Sequence, residues 1–184
     1  MFLLPCQPFK NALSFVLAAI DETSPRALQC VQFRRTGAGF EIAANDFTRH
    51  ALVRLPMHLG DECTAVISMA DAARMRDSLP SSNHAIVSVS TSHVQVEDGL
   101  RPALSARQLS AKLCKPTEHW FDPEHGRPPS VLTGENLLPL LRGLSALAGP
   151  PAMVTHRRNG PMLVQAAKPE LGGCLFAGFA ILGA

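Results

Sequence analysis

Apolar residues recur with a helical period in three places along this chain. The first stripe lies on one face of a predicted helix, and its positions are Phe9, Leu13, Val16, Leu17 and Ile20. Ser24-Pro25 is expected to end this helix, because the residue before a proline avoids the helical conformation. Ser68 and Asp71 form a capping box that predicts a second helix over 69–79. A leucine-rich stripe predicts a third helix over 134–148.

Short strands are predicted after each helix, since alternating residues are separated there by turn-forming segments. One strand, over 63–68, leads into the second helix, and 114–129, rich in proline, histidine and charge, is expected to be a linker. The chain therefore contains three copies of a helix followed by strands. This pattern predicts an α+β fold in which amphipathic helices pack on one face of antiparallel sheets. The remaining strands are predicted over 27–34, 39–44, 48–55, 84–90, 92–96, 100–104, 152–156, 161–166 and 174–182.

Composition narrows the class of protein. The chain has 184 residues, 46% of them apolar and 17% charged, which suits a globular protein and argues against long disorder. Its net charge of +2 does not by itself indicate nucleic-acid binding, and the absence of Tyr excludes a tyrosine-rich recognition surface. The longest apolar stretch, 172–184, is too short and too rich in glycine to cross a membrane. Five scattered cysteines without a C-x-x-C pair predict reduced thiols and a cytoplasmic location.

A family resemblance appears in the segment 40–51, Phe-Glu-Ile-Ala-Ala-Asn-Asp-Phe-Thr-Arg-His-Ala. It resembles the strand–turn–strand of the bacterial sliding clamp, the β subunit of DNA polymerase III, which usually reads Ala-Thr-Asp-Gly-x-Arg-Leu-Ala. Positions 45, 47 and 50 depart from that pattern. The matching positions are Ala44, Asp46, Arg49 and Ala51. Weaker similarities, in the order that the family has them, lie at 19–26, 65–72, 120–123, 132–138 and 160–164.

The resemblance implies a shortened clamp of about one and a half domains. Residues 1–128 are similar to the clamp's middle domain, and 129–184 to the second half of its last domain. The first domain and the first half of the last domain are expected to be absent. The ring of this family resembles twelve half-domains, each a helix packed on a sheet. This chain supplies three half-domains, so four copies would complete a ring. We therefore expect a homo-oligomer, and specifically a tetramer, because an unpaired half leaves a sheet edge open.

The function implied is that of a replication or repair processivity factor without catalysis, cofactor or metal. Such a ring grips double-stranded DNA through weak, non-specific phosphate contacts. The candidate DNA-binding residues lie on the helices and in one hairpin turn, and they are Lys10, Arg74, Arg76, Arg142, Arg157 and Arg158. Because acidic residues accompany the two arginines of the second helix, ordinary solvated charges are an equally good interpretation of these side chains.

The resemblance also implies a groove that docks peptides of replication or repair proteins. The family usually ends in Met-Pro-x-Arg-Leu, which forms part of that groove, whereas this sequence ends without the Met-Pro or the Arg. The candidate groove residues are Asn45, Asp46, Thr48, Arg49, Phe176 and Phe179. The small net charge of the chain and the absence of the family's terminal Met-Pro and Arg leave a second hypothesis open. In this hypothesis the protein is an adaptor or regulator that binds partners without encircling DNA.

A third hypothesis is a metal-dependent enzyme. Cys114, His119, Asp122 and His125 lie within 12 residues and offer thiolate, imidazole and carboxylate ligands. Their spacing is not a standard zinc spacing, and a polar loop explains it equally simply. We therefore predict no metal site and no enzyme activity.

Overall fold

The computed structural model describes residues 2–25, 29–46, 48–56, 61–79, 84–90, 92–97, 104–109, 134–156 and 161–181, without the side chains of 2, 136 and 151–156. These residues form eleven strands, three α-helices and a short 3₁₀ helix at Pro169–Gly172. In chain order the elements are β1 (Phe2–Pro5), α1 (Cys6–Leu17), β2 (Cys30–Thr36), β3 (Gly39–Asn45), β4 (Arg49–Leu55), β5 (Cys63–Ser68), α2 (Met69–Ser78), β6 (His84–Val89), β7 (His93–Glu97), β8 (Leu104–Arg107), α3 (Gly134–Ala148), β9 (Pro151–His156), β10 (Met162–Ala166) and β11 (Phe176–Ile181).

The strands build two antiparallel sheets, as the sequence predicts. The smaller sheet has the order β1-β6-β7-β8, and the larger has the order β5-β2-β3-β4-β11-β10-β9. β1, which precedes α1, pairs with β6, and β5, which precedes α2, pairs with β2. The first two repeats therefore exchange their leading strands. The third repeat joins them where β11 pairs with β4.

Helix α1 lies at the centre of the helical layer and contacts both α2 and α3. Its buried face carries Cys6, Phe9, Ala12, Leu13, Phe15 and Val16, and it packs on β3 and β4. Gly143 of α3 lies against α1, since a Cβ built there would come within 3.1 Å of a ring atom of Phe15. This close approach requires a small residue and fixes the position of the third repeat.

The predicted N-cap residue Ser68 is confirmed at the start of α2. The hydroxyl oxygen of Ser68 accepts the backbone N–H of Asp71 at 3.0 Å and donates to its carboxylate at 2.8 Å. One of the free N–H groups of the first helical turn is thereby satisfied, and a negative charge lies near the positive end of the helix dipole.

Several predicted boundaries differ from the observed ones. Helix α1 begins at Cys6 and ends at Leu17, so Ser24-Pro25 does not terminate it. The strand β1 was missed because its sequence, Phe-Leu-Leu-Pro, runs directly into the helical stripe. The weak strand expected over 100–104 is Leu104–Arg107. The predicted linker 114–129 lies outside the described residues.

Candidate functional site

The turn between β3 and β4, where the family resemblance is strongest, is held together by Asp46. One carboxylate oxygen accepts the backbone N–H groups of Thr48 at 2.8 Å and Arg49 at 2.7 Å. The other accepts two guanidinium N–H groups of Arg49, at 2.8 and 2.6 Å. Asp46 and Arg49 are both buried, so this pair closes the turn and stabilises it from within.

Arg49 also links this turn to the segment after α1. Its guanidinium lies 3.5 Å from a carboxylate oxygen of Asp21. Hydrogen bonds from the backbone N–H and hydroxyl of Thr23, together with the charge of Arg49, hold the pKa of Asp21 below its usual value. The carboxylate of Asp46 and the guanidinium of Arg49 bind each other, and the guanidinium also contacts Asp21. These two residues therefore hold the β3–β4 turn in place rather than offering side chains to a partner.

His50 follows Arg49 on β4 and is completely buried. It lies opposite Asn45 of β3 and Ala180 of β11. Burial lowers the pKa of His50 to about 3, since a charged imidazole would lose its hydration there. The imidazole is therefore neutral at neutral pH and belongs to the packed junction between β4 and β11.

The structure does not bring Phe176 and Phe179 into one groove. They are three positions apart on β11, so they lie on opposite faces of the sheet. Phe179 is buried among the helices, where its ring centroid lies 6.5 Å from that of Phe15. Phe176 is half-buried and pairs with Arg54, at the far end of β4 from the turn. The residue of β11 that faces the turn is Ile181, opposite Arg49.

The described turn residue that remains for a docking surface is therefore Thr48, because Asn45, like Asp46 and Arg49, is buried. Thr48 is half-buried, and its hydroxyl lies 3.2 Å from the carboxylate of Asp46. Met162 of β10 lies opposite Ile181 and extends the same end of the sheet. Residues 182–184, which follow Ile181, lie outside the described part of the chain.

Two of the four described candidate DNA-binding side chains are paired with acids. Arg74 pairs with Asp71, and Arg76 contacts Asp77 at 2.8 Å. A hydrogen bond from Arg76, supported by the charges of Arg76 and Lys10, holds the pKa of Asp77 below its usual value. The helices together carry four cations, Lys10, Arg74, Arg76 and Arg142, against three acids, Asp71, Asp77 and Glu135, a net charge of +1. Lys10 is half-buried, Arg142 is exposed, and Arg157 and Arg158 lie outside the described residues.

Sequence reasoning missed an ionic cluster on the outer face of the larger sheet. Glu41 of β3 is buried, and its two carboxylate oxygens accept from Arg34 of β2 at 2.7 and 2.8 Å and from Arg54 of β4 at 2.6 and 2.9 Å. The cluster borders a cleft of 590 Å³ that Arg35 and Cys63 also line. The alternation of side chains along β2, β3 and β4 could have predicted this cluster, because it places Arg34, Glu41 and Arg54 on one face once the strands are aligned.

Metal and membrane features can be assessed for the described residues only. Among them no three His, Cys, Asp or Glu side chains group closely enough to hold a metal ion. Cys114, His119, Asp122 and His125 lie outside this part of the chain. Four described cysteines, Cys6, Cys30, Cys63 and Cys174, form no disulfide among the described residues. No described helix has the length and apolar character needed to cross a membrane.

Two sheets with exchanged leading strands, a helical layer on one side and a closed β3–β4 turn make the fold recognisable. The fold is that of the bacterial sliding clamps. The structure is similar to the DNA polymerase III β subunit of Thermotoga maritima, with a TM-score of 0.53, 14% identity, and coverage of 60% of this chain and 30% of that one. It is also similar to the Helicobacter pylori β clamp bound to a DNA ligase peptide, with a TM-score of 0.54, 13% identity, and coverage of 67% and 34%.

A third similar structure is the Pseudomonas aeruginosa sliding clamp bound to griselimycin, with a TM-score of 0.54 and 15% identity. The match covers 64% of this chain and 32% of that clamp. The chain thus spans about a third of the length of the clamps that it resembles. No protein-family model matches the sequence, and no curated protein matches it. The likeness therefore lies in the fold, at a sequence identity where the fold alone carries over.

Proposed function

We propose that this chain is a non-catalytic docking protein of the sliding-clamp type, which assembles with copies of itself and binds replication or repair proteins. The single observation that supports this most directly is the β4–β11 pairing. It joins the first two repeats to the third, and Ile181 at the end of β11 lies opposite Arg49 beside the β3–β4 turn. The turn resembles the family's hallmark segment, and one similar clamp is bound to a DNA ligase peptide.

The docking part of this proposal can be tested with that ligase peptide as a fluorescent probe. We expect the chain to raise the anisotropy of the labelled peptide, and we expect Thr48→Glu to weaken binding at least tenfold, because Thr48 is half-buried while Asn45, Asp46 and Arg49 of the described turn are buried. Ser105→Glu, at an exposed position on the smaller sheet, is the matched control. Equal binding by both variants, or none by the unmodified chain, would contradict docking at the turn.

The assembly part of the proposal is a ring around double-stranded DNA, most simply of four copies. It is supported by the arrangement of the three helices in one layer and by the number of repeats. The net charge of +1 on these helices predicts weak contacts that salt abolishes readily. A ring should be retained on circular plasmid and lost from the same plasmid after linearisation, and Arg142→Glu should reduce retention because Arg142 is exposed.

A specific observation favours an adaptor role as the second candidate. Both arginines of α2 are paired with acids of the same helix, so the surface that would face DNA is nearly neutral. An adaptor would bind the ligase peptide and show equal retention on circular and linear plasmids. The plasmid experiment therefore distinguishes the two roles, whereas the peptide experiment tests the docking surface that they share.

A further inference from the structure

A row of charged side chains crosses the outer face of the larger sheet at right angles to its strands. Arg34 of β2 lies opposite Glu41 of β3, and Glu41 lies opposite Arg54 of β4, so all three side chains share one face. The turn between β2 and β3 and the start of β5 border this row and, with it, line the cleft of 590 Å³, a volume typical of small-molecule sites. The cleft lies at the opposite end of β3 from the β3–β4 turn.

The cleft carries more positive charge than its buried acid requires. One oxygen of the Glu41 carboxylate binds Arg34 and the other binds Arg54. One arginine neutralises this carboxylate, so the second leaves a positive charge in excess. Arg35 and Glu62 also line the cleft, and the three arginines against the two glutamates give a net charge of +1. Because Glu62 is exposed, water and salt screen its charge, and it offsets the arginines only weakly.

The guanidinium of Arg54 has an edge that Glu41 does not use. Its Nε and one terminal nitrogen donate to Glu41 at 2.9 and 2.6 Å, and its other terminal nitrogen has no partner among the described residues. The side chain lines the cleft and is 33% exposed. Two neighbouring nitrogens of a guanidinium match two oxygens of an oxyanion. The two terminal nitrogens of Arg54 therefore offer a second bidentate edge.

Arg35 adds positive charge to the wall of the cleft. It lies opposite Cys63, and strand alternation places its side chain on the other face of β2 from Arg34. Its Nε is buried and has no hydrogen-bond partner among the described residues. No acid among these residues neutralises Arg35, so its charge contributes to the field of the cleft although it does not donate beside Glu41.

The turn side of the cleft has room for a ligand. Gly37 and Ala38 line this side, and both are exposed. A Cβ built on Gly37 would meet no heavy atom within 4 Å, and the φ angle of Gly37 is not positive. A side chain can therefore be added at Gly37 without strain, directly at the border of the charged row.

We infer that this cleft binds the phosphoryl group of a small molecule, with the outer edge of Arg54 as the bidentate donor and with Arg34 and Arg35 supplying charge. Glu41 occupies the inner donors, so the ligand binds beside it. A carboxylate would bring one negative charge and two oxygens. A phosphate monoester brings about 1.5–2 negative charges and three acceptor oxygens, and so makes fuller use of the excess charge. The site is independent of the proposed docking turn and of the proposed ring.

Titrations followed by the NMR signals of the arginine Nε–H groups test this inference. The probes are inorganic phosphate, adenosine monophosphate and, at equal ionic strength, acetate. We expect both phosphates to shift the Arg54 signal saturably, and acetate to do so much more weakly. The Arg54 signal is assigned by its loss in Arg54→Lys, which should also weaken phosphate binding because a lysine has no bidentate edge. Tighter binding of the nucleotide would identify a phosphate ester as the ligand, and equal binding would identify the phosphoryl group alone.

Two changes of charge at the border of the cleft should move the affinity in opposite directions. Gly37→Glu should raise the dissociation constant for phosphate at least tenfold, whereas Gly37→Gln, of the same shape, should leave it nearly unchanged. Glu62→Gln should lower the dissociation constant about twofold, because it removes an exposed acid. Circular dichroism establishes that each variant is folded.

The inference would be overturned by the absence of saturable shifts, by an equal response to acetate, or by affinities that neither Gly37→Glu nor Glu62→Gln changes. None of these results alters the ligase-peptide or plasmid experiments, so failure of this site is distinguishable from failure of the proposed function.

Discussion

The two sheets differ in how their outer faces are used. In the smaller sheet the inner positions Val87, Val94 and Val96 are buried, and the outer positions of β6 and β7 are half-buried or exposed and, apart from one Ile, are Ser, Gln, His and Glu residues. In the larger sheet the outer face is buried as well, at Ala43, Leu52 and other positions. A sheet with one wet face can hold polar side chains without partners, whereas one buried on both faces must pair them or exclude them. The larger sheet contains both solutions, together with buried side-chain atoms that have no partner among the described residues, of which the oxygen of Gln32 lies on the outer face.

The largest effect is expected at Phe179, where the third repeat is anchored to α1. Phe179→Ala removes a fully buried ring that packs on Phe15, and we expect it to lower the free energy of unfolding by about 3–5 kcal/mol. Val94→Ala, at a buried inner position of the smaller sheet, should cost about 2 kcal/mol because it removes less apolar volume. Urea denaturation followed by circular dichroism measures both. A smaller loss for Phe179→Ala than for Val94→Ala would contradict this role of the third repeat.

The next effect depends on pH and on the buried His50. The pKa of His50 is about 3 in the folded protein and near 6.5 when unfolded, so between these values the unfolded chain binds the additional proton. Above pH 6.5 the imidazole is neutral in both states, so the stability associated with His50 is fully present. As the pH falls from 6.5 towards 3 this stability is lost, and the equilibrium constant for unfolding rises by up to about tenfold per pH unit. His50→Leu should remove this part of the pH dependence.

The matched control for His50 is His84→Gln at an exposed position of the smaller sheet. Carboxylates also titrate below pH 5, so the informative quantity is the difference between each variant and the unmodified chain, measured by urea denaturation at several pH values. Profiles that remain parallel for His50→Leu would show that His50 is accessible to protons in the folded state.

A smaller effect is expected for the ion cluster on the outer face. Arg54→Gln removes two of the four donors to Glu41, and the remaining partner is Arg34. Because the carboxylate is buried, we expect a loss of about 1–3 kcal/mol. Arg107→Gln at the exposed edge of the smaller sheet should change stability by less than about 0.5 kcal/mol. Equal effects of the two variants would mean that the cluster is as solvated as the surface.

The sequence predicts the repeat and its helices because each depends on local patterns. The stripe of α3, the capping box at Ser68 and the strand Cys63–Ser68 are set by side chains within a few residues of one another. Strand β1 was missed because its pairing partner, β6, lies about 80 residues away and only that pairing makes Phe2–Pro5 a strand. Long-range pairing is therefore the information that the local pattern lacks.

The candidate groove illustrates the same limit. Phe176 and Phe179 are close in sequence and similar in chemistry, yet strand alternation places one on the outer face and the other in the core. The pairing of Arg49 with Ile181 could not be read from the sequence, because it depends on the register between two repeats. The family resemblance located the turn, while only the register shows which residue of β11 lies beside it.

The smallest predicted effect has the opposite sign and tests the unpartnered oxygen on the buried outer face. The side-chain oxygen of Gln32 is buried without a hydrogen-bond partner among the described residues, beside Ala43 and Val66. An uncompensated polar atom in apolar surroundings lowers stability, so Gln32→Leu should raise the free energy of unfolding by about 1 kcal/mol. Gln95→Leu, on the half-buried outer face of the smaller sheet, should have almost no effect, since water can solvate the amide there. Thermal and urea denaturation of both variants compare the two faces directly. A loss of stability for Gln32→Leu would show that this amide has a partner in the folded protein.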